Sequence, residues 1–78
     1  MRLRFDEQAD TLYVRLDESP VVESEEVRPG VVLDLDERGE IVGIEILRVG
    51  ERLPTAELRH IEFDLVKPAT APSSRGRT

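Results

Sequence analysis

The 78-residue chain carries 17 acidic against 11 basic side chains, a formal charge of −6, and no cysteine. That length has room for one small domain, and the missing thiols exclude disulfides and thiolate zinc sites. No run approaches the ~20 apolar residues of a membrane span, and the first ten residues lack the apolar core of a signal peptide, so a cytoplasmic protein is expected.

Residues 1–66 hold every Asp and Glu against eight Arg, a formal −9. Binding a polyanion depends on cations that neutralise phosphates, so this body disfavours nucleic acid and suits a basic protein partner. A domain near 60 residues buries only about 60% of the surface its unfolded chain exposes. Homo-oligomerisation, which hides more apolar area, is therefore expected.

In chain order, Leu3 and Phe5 alternate with Arg2 and Arg4, the period-2 pattern of a short strand. A polar connection over residues 6–10 follows. Alternation then resumes with Leu12, Val14 and Leu16 on one side and Thr11, Tyr13 and Arg15 on the other, predicting an antiparallel hairpin. After a turn at residues 17–20, the stretch 21–27 has strand character. Glu23, Glu25 and Glu26 place it at a sheet edge, where charge discourages edge-to-edge aggregation. Pro29 and Gly30 fit the central positions of a type II turn.

Residues 31–47 form the densest apolar stretch and read as a second hairpin around residues 36–39. Two registers compete. A left-handed Gly39 gives a three-residue loop with a G1 bulge, setting Leu35 against Ile41 and Leu33 against Gly43. Placing Val31, Leu33 and Leu35 opposite Ile46, Ile44 and Val42 gathers all six on one face but needs a four-residue loop. Pro29, Gly30 and Gly39 are thus the structural turn residues. Val32, Ile41 and Val42, with Tyr13 on the outer side of its strand, are candidates for docking a second chain.

Residues 48–54 predict a helical turn or irregular crossover ended by Pro54, and Thr55 starts a short helix over 56–59. Ile61, Phe63 and Leu65 alternate with Glu62 and Asp64, predicting a closing strand. A continuous helix over 55–66 is the competitor. Residues 67–78 have no bulky apolar side chain and are expected to be a flexible tail. The fold expected is α+β: a small antiparallel β-meander with one or two short helical turns in a single domain, 1–66.

One motif imitates chemistry. Counted from Asp34, residues Asp34, Asp36, Gly39 and Glu45 occupy the first, third, sixth and twelfth positions of a calcium-binding EF-hand loop. Arg38 puts a cation where the fifth position needs a ligand, and the flanks are strand-like rather than helical. His60 has no Cys or second His to build a metal site and no nucleophile to activate. No catalytic residue, metal or cofactor is assigned.

The linear order of Asp6, Ala9, Asp10, Leu12 and Tyr13, then Glu23, Pro29, Gly30, Asp34 and Gly39, then Gly43, Ile44, Glu45 and Ile46 resembles the small prokaryotic family called domain of unknown function 2283. The resemblance covers roughly residues 3–53. It implies no catalytic residue; some members look like antitoxin-type partners of small basic toxins. The function expected is therefore a non-catalytic interaction or assembly module, antitoxin-like toward a basic partner. The alternative is a small enzyme or a metal- or ligand-binding protein that uses the acidic strand and the hairpin turn.

Overall fold

Alternating apolar residues become strands only where each finds a neighbour. In the computed structural model, which describes residues 1–68, five segments do. They are β1 (Arg2–Asp6), β2 (Thr11–Arg15), β3 (Glu23–Arg28), β4 (Val31–Leu35) and β5 (Ile41–Leu47). All neighbours pair antiparallel, in the order β1-β2-β5-β4-β3.

This order corrects the expected meander. β1 pairs with β2, and β3, β4 and β5 follow one another, but β2 pairs with β5 rather than with β3. The apolar character of β5 explains its central place: its seven residues include Ile41, Val42, Ile44, Ile46 and Leu47, which need strands on both sides. Strand β3, with three carboxylates, lies at the edge. Among the described residues, helical structure is limited to a 3-10 turn (Val49–Glu51) and a four-residue helix, α1 (Thr55–Leu58), so the fold is mostly β and the α+β description fits it only loosely.

The β4–β5 hairpin uses both candidate registers. At the tip, Asp36 and Glu40 pair through Asp36 N–H to Glu40 C=O at 3.0 Å, and Leu35 faces Ile41. Gly39, at φ 79°, takes the left-handed conformation that the G1 bulge needs and that side chains disfavour. Deeper in the hairpin, Leu33 faces Ile44 and Val31 faces Ile46. The register slips between Asp34 and Leu35, so Val42 is an extra residue on β5. A bulge there lets the turn geometry and the hydrophobic pattern each hold in its own half.

No strand forms over residues 59–68, which corrects the expected closing strand. Ile61, Phe63 and Leu65 are 62%, 79% and 74% exposed. The alternation is present, but a strand needs a hydrogen-bonded neighbour and this segment has none among the described residues. The competing helix also falls short, ending at Leu58 with Arg59 as its C-cap. Most of the predicted tail, residues 69–78, lies outside the described residues.

The first hairpin is tied to the end of β5. Asp10, at φ 54°, accepts the Gly50 N–H on its carboxylate at 2.9 Å and the Val49 N–H on its carbonyl at 3.0 Å. An Asp tolerates the left-handed region better than most residues. Val49, held by this clasp, is one of two buried apolar side chains among the described residues; the other is Val42.

Candidate functional site

Cross-strand partners share a face of the sheet, so the register sorts the side chains into two surfaces. One carries the rows Leu3–Val14–Ile44–Leu33–Glu25 and Phe5–Leu12–Ile46–Val31–Arg28. The other carries Arg4–Tyr13–Glu45–Val32–Glu26 and Arg2–Arg15–Gly43–Asp34–Ser24. The two faces differ in chemistry, and each has to be judged as a site.

On the polar face the residues converge over Gly43. A Cβ at that position would stand 3.0 Å from the Tyr13 hydroxyl oxygen and 3.2 Å from Asp34 Oδ2, so the phenol and the carboxylate occupy the space a side chain would fill. Asp34 is 3% exposed, and its Oδ1 accepts the Ser24 hydroxyl at 2.7 Å. Arg15 donates to the Tyr13 hydroxyl from Nη1 at 3.1 Å. Its Nε donates to the Asp17 carbonyl at 2.6 Å, and its Nη2 to the Ser19 carbonyl. Arg15 thereby draws the β2–β3 connection toward this face.

Glu45 lies between Tyr13 and Val32, diagonal to Asp34. Partial burial pushes its pKa above the usual glutamate range, and the Asp34 carboxylate adds to this by hydrogen-bonding the protonated form and repelling the ionised one. Two carboxyl groups and a phenol side by side are the raw material of acid–base chemistry. Among the described residues, no three His, Cys, Asp or Glu side chains gather as a metal ion would require.

The EF-hand imitation dissolves in this geometry. Asp34 bonds Ser24 across the sheet, whereas Asp36 accepts the Arg38 and Glu40 N–H groups on Oδ1, both at 2.9 Å. One carboxylate braces strands and the other closes the turn. His60 sits on the exposed segment beyond α1, its Nε2 3.1 Å from Glu62 Oε2.

The four candidate docking residues do not form one surface. Tyr13 and Val32 flank Glu45 on the polar face, and both are half-buried. Ile41 is exposed near the hairpin tip. Val42 is 1% exposed and is the extra residue of the bulge, which sequence periodicity does not register. Of the turn residues, Gly30 has φ 80° and donates its N–H to Glu26 Oε2 at 2.8 Å, while the Pro29 carbonyl accepts Arg52 Nη2 at 3.2 Å.

The opposite face holds what periodicity assigned to the core. Leu12, Val14, Val31, Leu33, Ile44 and Ile46 are only half-buried, with Leu3 exposed beside them. Tertiary contact is concentrated between neighbouring strands, and the 3-10 turn and α1 make few contacts with any of them. Among the described residues this apolar face has no second layer.

The chain belongs to the family described as protein of unknown function (DUF2283), whose model matches residues 2–49. The match takes in all five strands and stops at the 3-10 turn, so both faces of the sheet lie within it and α1 lies beyond it. No curated protein and no solved structure matches the chain.

Proposed function

We propose that this protein is a non-catalytic assembly module that associates with a second copy of itself through the apolar face of its sheet. The observation that carries this reading is the single layer. Stable domains bury a sheet's apolar face under a second layer of structure, and here Leu12, Val14, Val31, Leu33, Ile44 and Ile46 have none among the described residues. Fully burying one such side chain contributes about 1.5–3 kcal/mol, so covering the open part of six amounts to several kcal/mol. That is comparable to the whole stability of a typical domain, roughly 5–15 kcal/mol.

A second occupant, a small basic protein, is favoured by the rim of the same face. Glu25 lies beside Leu33 and Glu23 beside Leu35, so carboxylates border the apolar face along most of β3, with Arg28 beside Val31 at its end. An antitoxin-like role toward a basic partner would use that border. The polar face supports a rival, catalytic reading less well, because Arg15, Asp34 and Glu26 are already engaged within the chain.

Light scattering at high micromolar concentration tests the proposal. The expected result is a dimer or larger species, reduced to monomer by Leu33→Lys with the β-sheet circular dichroism retained. A strict monomer across that range would overturn self-association. Co-purification with a basic product of an adjacent gene would then favour the second occupant.

A further inference from the structure

Apart from the terminal Met1, the most exposed apolar side chains among the described residues lie together on one segment: Ile61 at 62%, Phe63 at 79%, Leu65 at 74% and Val66 at 86%. They alternate with Glu62 and Asp64 in the pattern of a strand, yet no backbone hydrogen bond joins residues 61–68 to the rest of the described chain. At one side of the sheet, β1 presents an edge with no neighbour among the described residues, which is a template for one more strand. We infer that residues 61–65 of one chain add to the β1 edge of a second copy, and that the two chains exchange these strands reciprocally. This deepens the self-association proposed above and rests on it.

Charge selects both the edge and the register. The other free edge, β3, offers Glu23, Glu25 and Glu26, which would stand against Glu62 and Asp64. β1 instead offers Arg2 and Arg4 on the polar face and Leu3 and Phe5 on the apolar one. An antiparallel register with Leu3 opposite Phe63 and Phe5 opposite Ile61 continues the apolar rows. It also sets Arg4 opposite Glu62 and Arg2 opposite Asp64. Shifting by two residues, so that Leu3 meets Leu65, would put Glu62 against Asp6, and a shift by one would invert the faces. Arg2 meets Glu18 at 3.5 Å, both well exposed, a contact easily exchanged.

Arg59 lies 3.5 Å from Glu7, which brings the start of the segment to the end of β1 where an antiparallel strand would begin. The same placement would let the segment fold back on its own β1. Exchange between chains is preferred because the segment stands detached and only Arg59 and His60 separate it from α1, and a short hinge favours swapping. A twofold exchange is also closed and adds a strand to both sheets.

The chain has no cysteine, so introduced thiols report without background. Leu3→Cys and Phe63→Cys are placed in separate, differently tagged full-length chains, and Arg4→Cys and Glu62→Cys in another such pair. Antiparallel partners alternate between wide and close spacing, so one of the two pairs has the closer Cβ atoms a disulfide requires. After co-refolding and mild oxidation, the expected result is an inter-chain disulfide between differently tagged chains in at least one pair, well above either self-disulfide. With both substitutions in a single chain, linked dimers should exceed monomers carrying an internal bond. An internal bond alone would overturn the exchange in favour of closure on the same chain. A dimer in light scattering with neither pair linked would overturn the exchange and leave self-association standing, whereas a strict monomer would remove both.

Discussion

Gly43→Ala measures how tightly the polar face is built. The new Cβ would stand 3.0 Å from the Tyr13 hydroxyl oxygen, 3.2 Å from Asp34 Oδ2 and 3.2 Å from Tyr13 Cε1. Comfortable contact begins near 3.4 Å, so the neighbours must retreat by a few tenths of an ångström. Tyr13 is held by Arg15 at 3.1 Å, and Asp34 cannot move without stretching its 2.7 Å bond to Ser24. Overpacking of this kind costs about 1–3 kcal/mol. The loss of glycine's unfolded-state freedom returns roughly 0.4–1 kcal/mol, so the net destabilisation is about 1–2 kcal/mol. In a domain of this size each kcal/mol lowers Tm by roughly 4–8 °C. Urea and thermal melts at one fixed protein concentration read the effect, since association would shift both. Tyr13→Phe removes the closest contact, so Gly43→Ala should cost less in that background, by about 0.5 kcal/mol or more. If Gly43→Ala is as stable as the parent, the cluster is looser than its distances imply and the reasoning fails.

Gly39→Ala meets no atom within 4 Å, so its cost is that of a left-handed alanine alone, about 1–2 kcal/mol, and Gly39→Asn should cost less; equal melts for all three proteins would refute a left-handed turn. Glu45 gives a pH dependence of definite sign. Because its folded pKa is raised, the folded state holds a proton that the unfolded state releases near its ordinary value of 4.5, so stability falls as pH rises from there through the higher folded value. Glu45→Gln should remove that fall and be the more stable protein at neutral pH. A plot of Tm against pH checks this, and parallel profiles for the two proteins would count against the carboxyl pairing.

The strands were legible because alternation in residues 2–6, 11–15 and 31–47 marks them locally. Their order was not, since nothing in a linear sequence says that Tyr13 of β2 lies beside Glu45 of β5 rather than beside β3. The polar cluster was hidden for the same reason: Tyr13, Ser24, Asp34 and Glu45 lie on four different strands and meet only through register. The two hairpin registers looked exclusive because period-2 reasoning assumes an unbroken ladder, and the bulge at Val42 breaks it. Residues 61–65 misled in the opposite way. Their alternation describes how they would sit in a sheet and says nothing about which chain supplies the edge.

The two faces are unequal as sites because of what each has left unused. On the polar face Arg15 donates to Tyr13, Asp17 and Ser19, Asp34 accepts from Ser24, and Glu26 accepts from Gly30. A ligand there would have to displace bonds already made, and a buried group stripped of its partner costs about 1–3 kcal/mol. Such a network pins the register of three central strands, because a slip would bury Asp34 without Ser24 and drive a side chain into the place of Gly43. The apolar face has the reverse property. Its strands already supply one another with backbone hydrogen bonds, and what remains open is hydrocarbon, whose burial needs no precise geometry and is lost only by staying wet. A partner on the proposed surface would therefore gain most by covering Val14, Leu33 and Ile44, while the polar cluster behind them keeps that surface in register.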